Sequence, residues 1–82
     1  MHPDQDQLEK HLLILGGQEL WFETRIRDLQ RIAREEGLAG RFEASDAAWD
    51  LRQQLKAALA SLQVEIMQTE RKLYGLRRNA RR

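Results

Sequence analysis

Apolar residues in the first half of the chain recur at alternating intervals of four and three residues. The series is Leu8, Leu12, Leu15, Phe22, Ile26, Leu29 and Ala33, and Glu19 takes the one position left open. A second series repeats the spacing with Ala48, Leu55, Leu59, Leu62, Ile66, Leu73 and Leu76, while Arg52 and Thr69 fill its gaps. A seven-residue repeat gives a helix one apolar stripe that packs against another helix. The sequence therefore predicts two long helices.

The connection between the two series is short and rich in glycine. Asp6 and Glu9 form a capping-box pattern, Gly37 is placed as a C-cap glycine, and Ser45 or Asp46 can cap the second helix. We expect helix one at about 6–36, a turn at 37–44 with Phe42 tucked under it, helix two at about 45–77 and a basic tail at 78–82. Short connections make neighbouring helices antiparallel. The predicted fold is all-α, an antiparallel two-helix hairpin in a single domain, 1–82.

Gly16-Gly17 leaves two architectures open. Two glycines inside a helix cost about 2 kcal/mol relative to alanine. In one interpretation the helix is continuous and the missing side chains allow close packing. In the other the chain breaks there, which gives a separate helix at about 6–15 and a three-helix bundle. The heptad register continues from Leu15 to Phe22 across the pair and favours the continuous helix.

Chain length limits what a lone hairpin can bury. With 82 residues, folding buries only about 60% of the surface of the unfolded chain, so a monomer is marginally stable. There is no cysteine to form a disulfide. Dimerisation into a four-helix bundle is therefore the expected assembly.

Apolar side chains remain after the stripe of each helix is assigned. They are Leu13, Ile14, Leu20 and Trp21 in helix one and Ala60, Val64, Met67 and Tyr74 in helix two, with a smaller surplus at Trp49 and Leu51 near the turn. The hairpin brings Leu13 level with Thr69, and Leu20 level with Leu62, so both sets lie at the open end. A third helix, a second copy or another protein could cover them.

This surplus predicts a protein-binding surface, because large exposed apolar patches mark interaction sites. The residues expected to bind are Leu13, Ile14, Leu20, Trp21, Val64, Met67 and Tyr74. The predicted function is a non-enzymatic interaction module, such as a small adaptor, chaperone or inhibitor. Its partner is itself, as a homodimer, or another protein.

Residues for catalysis or metal binding are sparse. Ser45 and Ser61 lie far in sequence from either histidine, and His2 and His11 are nine residues apart without metal-ligand spacing. No phosphate-binding loop or dinucleotide fingerprint occurs. We expect no enzyme activity, no metal, no cofactor and no small-molecule substrate.

Basic residues accumulate at the end of the chain, although the net charge is only +1. The last twelve residues contain Arg71, Lys72, Arg77, Arg78, Arg81 and Arg82 and no acidic residue. Bases in a last helical turn complement the helix dipole. The alternative function is a nucleic-acid-associated accessory protein that uses Arg77, Arg78, Arg81 and Arg82.

Location follows from what the sequence lacks. The longest apolar run is Leu12 to Leu15, far below the roughly 20 residues of a membrane span. Residues 1–4 show no basic and apolar leader. We expect a cytoplasmic protein with no membrane partner, and the excess of arginine over lysine suggests a bacterial or phage genome.

Overall fold

A computed structural model describes residues 3–80. The chain forms two helices, α1 at Pro3–Leu38 and α2 at Phe42–Ala80, joined as a hairpin that measures 63 × 15 × 13 Å. Of the described residues 96% are helical, and no strand occurs among them. The predicted all-α helical hairpin is confirmed.

The two predicted stripes face each other and form the interior. Its buried apolar residues are Leu15, Leu29, Ala33, Ala48, Leu62 and Leu73. The polar stripe positions are accommodated locally: the Thr69 hydroxyl donates to the Glu65 carbonyl at 2.8 Å, and the Arg52 guanidinium carbon lies 5.3 Å from the centre of the Trp49 ring. The interior is one residue layer thick, and no large described side chain is fully enclosed.

Helix α1 passes through Gly16-Gly17 without a break. The three-helix alternative is therefore wrong for the described residues, because the heptad contacts on both sides of the pair hold one helix in register. The expected close packing is also wrong. A Cβ atom added to Gly16 or Gly17 would meet no described atom within 4 Å.

The turn is shorter than predicted, and Gly40 ends α1 instead of Gly37. Gly40 has a φ of 80°, the left-handed conformation that glycine adopts without steric cost. Its amide donates to the Gly37 carbonyl at 3.1 Å, and the Arg41 amide donates to the Glu36 carbonyl at 2.8 Å. This pair of bonds is the Schellman motif, which satisfies carbonyls at the end of a helix.

Ser45 is part of the interior and does not cap α2. Because α2 already begins at Phe42, Ser45 takes the stripe position one turn before Ala48. Its hydroxyl donates to the Ala33 carbonyl across the hairpin at 2.7 Å. A Cβ atom on Gly37 would come within 3.3 Å of that hydroxyl oxygen. Gly37 therefore serves this close approach of the helices.

Both helices extend further toward the open end than the sequence analysis expects. Pro3 begins α1, where its missing amide proton costs nothing. Asp6 is consequently inside the helix and pairs with Lys10 at 3.1 Å. At the other terminus α2 continues to Ala80, so residues 78–80 are helical and only Arg81 and Arg82 of the predicted tail lie outside the described residues.

Candidate protein-interaction surface

The residues predicted to bind protein are exposed in the hairpin. Leu13 keeps 78% of its surface in contact with solvent and Tyr74 keeps 68%. Exposed with them are Ile14, Leu20, Trp21, Val64 and Met67. No described segment folds back over them, so a third helix of residues 3–80 does not cover this surface.

Contacts between the helices define two flanks of the hairpin. On the first flank Glu9 accepts a hydrogen bond from Arg77 at 3.0 Å. On the second flank the ring of His11 lies 3.4 Å from the Glu65 carboxylate. These pairs confirm that residues near the start of α1 lie level with the last turns of α2.

Four of the seven residues face the first flank. Residues three or four apart are neighbours on a helix surface. Leu13 is four residues after Glu9, and Leu20 repeats the position of Leu13 one heptad later. On α2, Tyr74 is three residues before Arg77, and Met67 repeats its position one heptad earlier.

An open groove runs along this flank between the helices. It has a volume of about 780 Å³, and its lining includes Leu12, Met67, Leu73, Tyr74 and Arg77. Leu73 belongs to the buried interior, whereas Met67 and Tyr74 belong to the exposed set. The groove therefore joins the interior of the hairpin to its exposed apolar surface.

The remaining predicted residues lie elsewhere around the hairpin. Ile14 and Trp21 follow His11 and Gln18 by three residues and face the second flank. The Trp21 ring stands edge-on to Phe22, with 5.2 Å between centroids. Val64 lies on the back of α2, four residues from Ala60 and three from Met67. The seven residues thus share one end of the hairpin but not one face.

Two exposed apolar residues at the closed end escaped the sequence analysis. Leu38 is 92% exposed, and Phe42 is 69% exposed although it was expected under the turn. Both lie beside a turn of only three residues, which leaves no space beneath it for a ring. Of the smaller surplus near the turn, Leu51 is exposed and Trp49 is half-buried against Leu29, Ala33 and Ala48.

Ion pairs hold charges at both ends of the hairpin. The hydrogen bond from Arg77 lowers the pKa of Glu9, and a hydrogen bond from Gln5 adds to the effect. At the closed end the hydrogen bond from Arg41 lowers the pKa of Glu36 and that bond raises the pKa of Arg41. All of these groups are close to solvent, so the pairs contribute little to folding.

The arginines of the alternative nucleic-acid site are separated by these contacts. Arg77 is engaged with Glu9, whereas Arg78 is exposed on the next position of α2. Arg81 and Arg82 lie outside the described residues. Arg71 is seven residues before Arg78, so these two exposed arginines share a face of α2.

Polar side chains that could support catalysis have other partners. The hydroxyls of Ser45 and Ser61 donate to backbone carbonyls of Ala33 and Ala57, and His11 contacts Glu65. Across residues 3–80 no cluster of three or more histidine, cysteine or acidic side chains could hold a metal ion. His2 lies outside the described part of the chain. Neither α1 nor α2, as described, is apolar enough over a sufficient length to cross a membrane.

Comparison of the chain with protein-family models, with curated proteins and with solved structures finds no match.

Proposed function

We propose that the hairpin is a non-enzymatic protein-interaction module that binds a second copy or a partner protein through its open-end apolar surface. The observation that carries the proposal is the exposure of Leu13, Ile14, Leu20, Trp21, Val64, Met67 and Tyr74 at one end of a 63 Å hairpin. Patches of this kind mark binding sites, and tryptophan and tyrosine are frequent among the residues that dominate binding energy. Adaptor, chaperone and inhibitor roles all use such a surface.

The size of the exposed surface supports the proposal. The chain exposes 6396 Å². A compact monomer of 9.7 kDa exposes about 5,100 Å². The hairpin thus presents about 1,300 Å² more than a compact fold needs, whereas a standard interface removes about 800 Å² from each partner. Association of the open end removes this excess.

Charged substitutions on the surface test the proposal. Leu20→Asp and Met67→Asp place a carboxylate on the first flank without touching the interior. Each should lower association by a hundredfold or more, since an unpaired buried charge costs about 3 kcal/mol or more. Sedimentation velocity of the purified chain over a range of concentrations measures this loss.

Two controls frame that experiment. Arg27→Asp changes an exposed residue of α1 outside the apolar surface and should leave association unchanged. Leu59→Asp changes the interior and should unfold the chain. If Leu20→Asp and Met67→Asp behave like Arg27→Asp, the exposed surface binds nothing and the proposed function is wrong.

A nucleic-acid accessory role is the second candidate, and the shared face of Arg71 and Arg78 favours it. Phosphate contacts are strong at about 50 mM salt and weaken steeply as salt rises. Deletion of residues 79–82 removes two arginines and no large apolar side chain. A salt-sensitive affinity for DNA or RNA that falls on this deletion would support the role. No affinity of the intact chain at low salt would exclude it.

A further inference from the structure

The glycine pair in α1 has no function within the hairpin. Gly16 and Gly17 are exposed, and added Cβ atoms would meet nothing described within 4 Å. Alanine at both positions would therefore fit the hairpin and would gain about 2 kcal/mol of helix propensity. Because no contact inside the chain explains the glycines, we looked outside it.

The glycines form a notch in the exposed apolar surface. Gly17 lies three or four residues from each of the four exposed apolar residues of α1, which are Leu13, Ile14, Leu20 and Trp21. These positions are its neighbours on the helix surface. Gly16 adjoins the notch on the first flank, since it follows Glu9 by seven residues. Here the backbone of α1 can be approached more closely than at any side chain around it.

Helix α2 presents a charged pair beside the notch. Glu70 precedes Arg77 by seven residues, as Gly16 follows Glu9, so Glu70 and Gly16 lie level across the first flank. Arg71 follows on the outer side of α2. Both are exposed, and the ion pairs within the described chain involve other residues. We call the first flank at this level, with Leu13, Leu20, Met67 and Tyr74 around Gly16 and Glu70, the notched face.

The notched face is complementary to itself. The midpoint between Leu13 and Leu20 falls between the two glycines, and the midpoint between Met67 and Tyr74 falls between Glu70 and Arg71. Both midpoints lie at one level of the hairpin. A single twofold axis that crosses both helices at this level therefore serves α1 and α2 together, as an interface between identical copies requires.

The contacts across this axis match in chemistry. Leu13 comes onto Leu20 of the second copy, Met67 onto the second copy's Tyr74, and the glycine pairs meet where α1 crosses its equivalent. Glu70 comes beside Arg71 of the second copy. Along α1 the same axis sets Lys10 opposite the second copy's Glu23, and Asp6 opposite its Arg27. Opposite charges thus meet at three places in each half of the interface.

We propose that a second copy of this chain occupies the notched face, with α1 antiparallel to α1 and α2 antiparallel to α2 about this axis. The assignment rests on the proposed function and deepens it by naming the partner and the register. The axis lies about 20 Å from the open end, at about 1.5 Å per residue. The closed ends therefore point apart, and the dimer is about 85 Å long, compared with 63 Å for one hairpin.

Charge reversal at the axis tests the register. Glu70→Lys brings two lysines beside two arginines, and Arg71→Glu brings four carboxylates together. Each change alone should weaken the dimer by about tenfold or more, because both symmetry-related pairs become repulsive. The double variant restores opposite charges and should dimerise within about threefold of the unmodified chain. Equilibrium sedimentation measures the affinities, and circular dichroism checks that each chain is helical.

A mixture of the two single variants gives the sharpest result. Their four charges are complementary across the axis, so the mixture should form heterodimers that neither variant forms with itself. If the mixture and the double variant associate no better than the single variants, the register is wrong. If charge reversal has no effect while Leu20→Asp abolishes association, the open-end surface still binds protein, but the proposed register is wrong. A folded monomer of the unmodified chain would exclude the second copy as the partner.

Discussion

Single residues in this hairpin separate what serves the fold from what serves association. Gly37 is explained by the Ser45 hydroxyl oxygen 3.3 Å from its missing side chain, and Gly40 by its positive φ. Gly16 and Gly17 have neither explanation. From the sequence all four are helix-disfavouring residues. Their roles could not be distinguished there, because the roles depend on what lies opposite each glycine.

Substitution of Gly17 tests whether the notch contacts a second copy. Leucine at this position improves helix propensity by about 0.8 kcal/mol, and its Cβ fits the hairpin without a contact. We nevertheless expect Gly17→Leu to weaken the dimer by about tenfold or more, because the side chain fills the space where the helices cross. Sedimentation at several concentrations gives the affinity.

Gly75→Leu is the matched control. Gly75 is also helical with open space around its missing Cβ, but it lies outside the notched face. This substitution should leave the dimer affinity unchanged or raise it slightly through helix propensity. A dimer strengthened equally by both substitutions would show that the notch makes no intermolecular contact.

At the scale of the helices, the heptad spacing was sufficient to predict which side of each helix is buried. Glu19, Arg52 and Thr69 occupy stripe positions as predicted and are half-buried or buried, although their side chains are polar. Spacing succeeds here because a stripe has only one other helix to face. The helix ends were predicted less well. The motifs at Asp6, Gly37 and Ser45 suggested caps, but hairpin contacts and the Schellman turn at Gly40 place the ends elsewhere.

The candidate surface was predicted in composition but not in arrangement. Every one of the seven residues is exposed at the open end. Their division between two flanks depends on the offset between the helices, which a three-residue turn sets and the contacts of Glu9 and His11 reveal. The sequence assigned eight residues to the connection, so it could not supply this offset. Glu70 and Arg71 were missed because their importance comes from their level relative to Gly16.

At the scale of the whole molecule, the hairpin is long and thin. Six buried apolar residues along 63 Å form an interior that leaves most of each helix in water. A fold of this shape gains much of its stability from association, so folding and assembly become one equilibrium. The shape therefore leads to the central claim, that the open-end surface is covered when the chain is folded.

Dilution of the purified chain tests this claim most directly, with molecular mass and helix content followed on the same samples. At high concentration we expect about twice the 9.7 kDa mass of one chain and a strongly helical circular dichroism spectrum. On dilution the mass and the helical signal should fall together, with the same midpoint, because the separated hairpins cannot keep their apolar surface in water. A chain that remains fully helical as a 9.7 kDa monomer at every concentration would contradict the account.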